Sequence, residues 1–186
     1  MLEVLPAVVT RVELSLPEAD LFAGARYLAE AHASSDAGPR ADAHVAWTSS
    51  DESVVRVGAG GSLTAVSPGT AVIEAVSEGV AARAEVRVIP NPVRRLRLDP
   101  LEVSLRTGDV VHFSARAIDG AGREVRNAPV DWSVASVGGT GQVAATIDGS
   151  GTFVADDPGM YRVTATVGSI SEVAEVSASP RPARRV

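Results

Sequence analysis

The sequence contains no cysteine and no lysine, only 4% aromatic residues, and no apolar run of the length a membrane-crossing helix needs. Without cysteine no disulfide can staple the fold, so any folding unit has to be held by its own apolar core. The same absence assigns no redox compartment, because exported proteins also do without cysteine. Without lysine there is neither a phosphate-binding P-loop lysine nor a Schiff-base lysine. All 17 basic residues are arginine, set against 23 acidic ones, and the net charge of -6 opposes non-specific nucleic-acid binding, which requires phosphates to be neutralised. The start, Met1-Leu2-Glu3-Val4, lacks the basic and long apolar regions of a signal peptide. The expectation is either a cytosolic chain or an export signal upstream, and the repeat described next favours the second.

What is present is an internal repeat. The segment Leu2 to Val12 aligns with Val86 to Leu96, and that segment aligns with Val176 to Val186. Between these copies Gly24 to Gly38 matches Gly108 to Gly122, Val45 and Trp47 match Val130 and Trp132, and Gly61 to Pro90 matches Gly151 to Pro180. A change of offset after Trp132 marks an insertion, expected as a longer loop or hairpin near 136–141. A period of this length gives units large enough to fold alone, each burying roughly 60 to 65% of its unfolded surface. The linker Pro90-Asn91-Pro92 is short and restricted in φ by two prolines, so it is expected to be semi-stiff.

Apolar residues alternate with polar ones at a period of two: Val12, Leu14 and Leu16; Tyr27, Ala29, Ala31 and Ala33; Ala71, Ile73 and Ala75. Turn signals such as Gly38-Pro39, Pro68-Gly69 and Glu78-Gly79 separate these runs at short spacing, which predicts a sandwich or barrel and no βαβ units. Leu21 to His32 is rich in alanine and leucine and resembles a helix in composition. Its repeat partner, Thr107 to Arg116, is β-branched and aromatic, so both are read as strands.

Two features point to an immunoglobulin-like sandwich. Each repeat has one tryptophan, Trp47 or Trp132, where such folds bury a ring between their sheets. Asp157-Pro158-Gly159-Met160-Tyr161-Arg162-Val163 has the spacing of a tyrosine corner, with Val163 in the place of the usual cysteine. The matching Ser67-Pro68-Gly69-Thr70-Ala71 keeps the turn and loses the tyrosine. The run from Trp47-Thr48-Ser49-Ser50 through Gly61-Ser62-Leu63-Thr64-Ala65 to Ala71-Val72-Ile73 resembles the bacterial immunoglobulin-like group 2 family of intimin- and invasin-type surface proteins. The resemblance covers most of 8–90, and residues 92–180 resemble a more divergent member.

Candidate chemistry is sparse. His32 and His112 fall out of phase with their apolar neighbours and are expected in solvent; with His44 they lack the spacing of a zinc site. No nucleophile elbow surrounds any serine. The runs Gly58-Ala59-Gly60-Gly61 and Gly138-Gly139-Thr140-Gly141, with no following helix and no lysine, are read as hairpin turns. Asp119-Gly120, Asp148-Gly149-Ser150-Gly151 and Asp156-Asp157 place carboxylates on loops, where oxygen ligands suit calcium; Asp-Gly is also a common turn dipeptide, and turn chemistry is the preferred reading. Arg94, Arg95 and Arg97, echoed by Arg184 and Arg185, are read as charges that keep stray strands off a sheet edge.

The expected architecture is therefore all-β: two tandem immunoglobulin-like β-sandwiches joined by a short proline-containing linker. Residues 1–7 are expected to be the end strand of a preceding repeat or a linker, 8–90 the first sandwich, 91–180 the second, and 181–186 a tail or the start of a following repeat. The resemblance implies a non-enzymatic spacer or adhesion segment of a larger bacterial extracellular or cell-surface protein, with no catalytic, cofactor or metal residues. Two alternatives stand beside it. One is a self-assembling extracellular filament subunit that exchanges terminal strands, using Leu2 to Leu5 and Arg184 to Val186. The other is an accessory region of a secreted enzyme or propeller protein. Expected partners are neighbouring immunoglobulin-like repeats or identical subunits and an unidentified protein or glycan, with neither nucleic acid nor membrane insertion.

Overall fold

A computed structural model describes residues 7–17, 20–138 and 144–181. The expected end strand before Ala7, the tail after Arg181, and Gly139 to Gly141 of the expected loop lie outside the described residues. The chain divides between Asn91 and Pro92 into two compact units.

The first unit contains strands β1 (Arg11–Ser15), β2 (Leu21–Phe22), β3 (Arg26–Leu28), β4 (Glu30–Ser35), β5 (Gly38–Pro39), β6 (Ala46–Ser49), β7 (Val55–Val57), β8 (Ser62–Ala65), β9 (Gly69–Ser77) and β10 (Val80–Ile89). One sheet has the order β2-β10-β9-β6, and facing it are the short ladders β1-β4-β5 and β3-β8-β7. The only helical segment among the described residues is a single 3-10 turn, Ala59–Gly61. The period-two pattern explains this outcome. Along β9, Ala71, Ile73, Ala75 and Ser77 are buried while the residues between them point outward, so one face of the ribbon is committed to the core and a helix would scatter it.

The alanine-rich stretch from Leu21 to His32 is extended, but it forms three pieces and not one strand. β2 lies parallel to the end of β10, β3 pairs with β8, and β4 pairs with β1. The change of partner occurs at Ala29, whose N–H bonds the carbonyl of Gly61 at 2.8 Å. Switching partners in this way lets one length of chain serve two parts of a curved layer.

The second unit contains β11 (Val93–Asp99), β12 (Glu102–Arg106), β13 (Val110–His112), β14 (Ser114–Asp119), β15 (Asp131–Ser136), β16 (Ala145–Ile147), β17 (Thr152–Ala155), β18 (Gly159–Val167) and β19 (Ile170–Ser179). Its main sheet, β12-β19-β18-β15, repeats the first unit's order, including the parallel pairing of β12 with β19. The other ladders are β11-β14 and β13-β17-β16. Individual hydrogen bonds recur at repeat-equivalent positions. Gly24 N–H to Ala65 O matches Gly108 N–H to Ala155 O, and Ala29 N–H to Gly61 O matches Phe113 N–H to Gly151 O.

The cores are filled differently. In the second unit Phe113, Phe153 and Tyr161 are buried and linked ring to ring, with centroids 6.1 and 6.0 Å apart in edge-on geometry. The equivalent positions of the first unit are Ala29, Leu63 and Ala71. There Leu21, Val55 and Ile73 supply the buried aliphatic volume, and Tyr27 and Trp47 pack against it from the side. The tryptophans are thus not the core centres that the sequence suggests. Both are half-buried and lie on edge strands, β6 and β15; Trp47 packs against both apolar clusters of its unit, and the Trp132 ring lies 6.4 Å from that of the buried Phe113.

Candidate functional site

The tryptophan position is fixed by a glycine. Gly61 and Gly151, both with left-handed φ (82° and 86°), sit where a Cβ would strike the carbonyl oxygen of Ala29 or Phe113. The same Cβ would lie 2.9 Å from the Trp47 ring or 3.1 Å from the Trp132 ring. Glycine lets the backbone slide beneath the indole, and the strand crossing at Ala29 or Phe113 depends on that approach. This lock occurs in both units and accounts for the repeated glycine and tryptophan.

The tyrosine corner forms as its spacing predicts. The Tyr161 hydroxyl donates to the carbonyl of Asp157 at 2.8 Å and, more weakly, to Ala144 O at 3.3 Å. Burial raises its pKa, and the charges of Asp157 and Asp156 add to that, so the hydroxyl stays a donor. The first unit ties down the equivalent turn with Ser67, whose hydroxyl donates to Ser53 O at 2.6 Å. Its own tyrosine, Tyr27, accepts the N–H of Phe22 at 2.6 Å.

The loop carboxylates are occupied by turns. Asp148 Oδ1 accepts from Ser150 N, Ser150 Oγ and Thr152 N at 2.8, 2.6 and 3.0 Å. These donors, Ser150 Oγ foremost, lower its pKa to about 2. Asp119 Oδ1 accepts from Ala121 N and Arg123 N, and its Oδ2 pairs with the Arg123 side chain at 3.0 Å. Asp51 accepts from the N–H and hydroxyl of Ser53. Among the described residues no three His, Asp or Glu side chains come together in a metal-binding group. His32, His44 and His112 are exposed on separate segments, and His32 lies 3.7 Å from Glu30.

Arg94, Arg95 and Arg97 are exposed on β11, which is an edge strand, as read from the sequence; Arg184 and Arg185 lie outside the described residues. The Gly58 to Gly61 run joins β7 to β8, closed by the bond from Gly58 N–H to Ser62 O at 2.8 Å.

A cluster with only one faint signal in the sequence gathers around Arg40. Its side chain, only 10% exposed, pairs with Asp42 at 2.8 Å and with Glu78 at 3.0 Å, and Glu78 also accepts the N–H of Val9 at 2.8 Å. Glu78 adopts a left-handed φ of 48°, where the second unit has Gly168. A charged residue tolerates that conformation here because its carboxylate fastens Val9, just ahead of β1, to the β9–β10 turn. The lone signal in the sequence is that a glycine of one repeat is replaced by glutamate in the other. On the second unit, an open depression of about 570 Å³ is lined by Ser104, Arg106, Asp109, Ser177, Ser179 and Arg181, of which Asp109 and Arg181 form an ion pair at 2.8 Å.

These arrangements tie turns and strand ends to the sandwich. Three comparisons bear on what such a chain is. No curated protein sequence matches it. Among solved structures, domains 1-6 of the surface layer protein SbsC are 19% identical with a TM-score of 0.42, over 95% of this chain and 29% of that one. SbsC domains 5-6 are 15% identical with a TM-score of 0.44, over 95% and 100%. The Escherichia coli adhesin FdeC is 15% identical with a TM-score of 0.38, over 90% and 64%. The chain spans less than a third of the first two surface-layer chains it matches, 29% and 28%. The family model for the bacterial Ig-like domain (group 2) matches residues 9–88. Those residues carry the tryptophan–glycine lock and the alternating strands described above, so it is the first unit that matches the bacterial Ig-like domain, group 2.

Proposed function

We propose that the chain is a non-enzymatic structural segment of a larger bacterial surface protein, in which two tandem immunoglobulin-like sandwiches act as spacer or adhesion modules. The observation that carries this reading is the recurrence of one scaffold. The same strand order, parallel edge pairing and glycine–carbonyl hydrogen bonds appear in both units, although the core side chains have diverged. Retaining geometry while changing side chains is what a load-bearing module requires, since its task depends on the fold. The polar groups that stand out, at Asp51, Asp119, Asp148, Tyr161 and Glu78, hold turns and strand ends. The family match at 9–88 supports the surface setting.

Two experiments test it. Antibodies raised against this chain should label intact cells that express the full-length protein; labelling only after lysis would overturn the surface assignment. Replacing the two units in the full-length protein with an unrelated immunoglobulin-like pair of equal length should preserve presentation of the flanking regions. Loss of adhesion in that swap would assign contact, and not spacing, to these units.

A further inference from the structure

The edge strands of the described chain are protected unequally. β1 carries Arg11 and Glu13, β11 carries three arginines, β12 carries Glu102 and Arg106, β7 carries Arg56, and β5 contains Pro39. β2 and β16 are two and three residues long, and β6 has four. Charge, proline and shortness are the usual means of stopping an edge from recruiting another strand. β15 has none of them after its first residue: Asp131-Trp132-Ser133-Val134-Ala135-Ser136 is six residues long, with no cation, no proline and no bulge in its register with β18.

The phase of its free hydrogen-bonding groups follows from one contact. Val137 N–H donates to Met160 O at 2.8 Å, which makes that pair a hydrogen-bonded one. Because such pairs alternate along an antiparallel ladder, Asp131, Ser133 and Ala135 bond to β18, and Trp132, Val134 and Ser136 turn their N–H and C=O groups to the open side. Among the described residues no hydrogen bond reaches those groups.

We propose that the open edge of β15 pairs antiparallel with β15 of a second copy of this chain, on a two-fold axis at Val134. In that register Val134 faces its own counterpart, and Trp132 and Ser136 face Ser136 and Trp132, so every outward backbone group finds a partner. On the solvent face Ser133 lies opposite Ala135 of the second copy. Asp131 lies opposite Val137, so no like charges meet. The interface is isologous and closes as a dimer. It requires no exchange of terminal strands, and it goes beyond the spacer reading without depending on it.

Sedimentation velocity of the whole chain from micromolar to millimolar concentration should show a monomer–dimer equilibrium. Val134→Pro removes an edge donor without touching the β18 ladder, and Ser133→Lys places a cation on the exposed side of the edge. Each should weaken the dimer about tenfold or more, and Ser133→Lys should do so with the thermal transition unchanged. Because the chain has no cysteine, the register can be read directly. The double variant Ser133→Cys and Ala135→Cys should give a disulfide-linked dimer on mild oxidation, since non-hydrogen-bonded pairs bring Cα atoms to about 4.5 Å. Ser133→Cys alone should remain uncrosslinked. A monomer at every concentration, a dimer indifferent to Ser133→Lys, or efficient crosslinking by Ser133→Cys alone would overturn the proposal. A monomer would refute the pairing and leave the surface-segment reading intact, because cell labelling tests that separately.

Discussion

Ser77 closes the buried row of β9 and is 1% exposed, yet its hydroxyl has no hydrogen-bond partner among the described residues. The equivalent residue of the second unit is Val167, which is fully buried. A buried hydroxyl without a partner costs about 1 to 3 kcal/mol of desolvation that an apolar side chain avoids. Ser77→Ala removes only the oxygen and should stabilise the first unit by about 1 kcal/mol. Ser77→Val then adds carbon to a slot that accommodates valine in the sister unit, at about 0.8 kcal/mol per buried group. Each unit has one tryptophan, so a Trp132→Phe background leaves Trp47 as the fluorescence reporter of the first unit. In that background the urea midpoint should rise by roughly 0.5 to 1 M at constant slope, for a slope of about 1 to 2 kcal/mol/M. The buried Nη1 of Arg40 also has no partner among the described residues. If Ser77→Ala lowered stability by about 1 kcal/mol or more, the hydroxyl would be making a bond, with that guanidinium or with a buried water, and the reasoning would be refuted.

Three other outcomes follow from the same structure. Gly151→Ala and Gly61→Ala should each destabilise their own unit by about 2 kcal/mol or more, since a left-handed φ and a collision with a backbone carbonyl act together; chemical denaturation followed by Trp132 or Trp47 fluorescence measures this, and a loss below about 0.5 kcal/mol would contradict the close approach. Tyr161→Phe should cost about 1 to 2 kcal/mol in the second unit, because Asp157 O loses its donor while the ring stays; calorimetry of the variant checks this. The Asp148 carboxylate has a pKa lowered to about 2, so its contribution is fully present above the unfolded value of about 4 and disappears as pH falls from about 4 to about 2. Asp148→Asn should therefore flatten the fall in the second unit's melting temperature across that window, and an unchanged slope would remove Asp148 from the acid response.

Much of the architecture was legible because strands write their burial at a period of two. Ala71, Ile73 and Ala75 could be assigned inward without coordinates, and the phase of His32 and His112 placed both in solvent. The corner at Tyr161 was readable because its hydrogen bond closes over four residues. Local spacing therefore carries the information. What could not be read depends on which distant strand approaches. The split of Leu21 to His32 into three strands is set by β10, β8 and β1, and the half-burial of both tryptophans follows from their edge strands. The Arg40–Glu78–Val9 cluster joins residues 69 positions apart at its widest bond.

The sequence alone determined that this is a repeated all-β chain, because alternation and a recurring frame of glycine, tryptophan and proline are local properties of the polymer. Only the tertiary structure decided which backbone groups stay unpaired at β15, which carboxylates are taken up by turns, and which buried polar atoms lack partners. Those are matters of register and packing between strands far apart in the chain, and an edge or an orphaned hydroxyl exists only once its neighbours are in place.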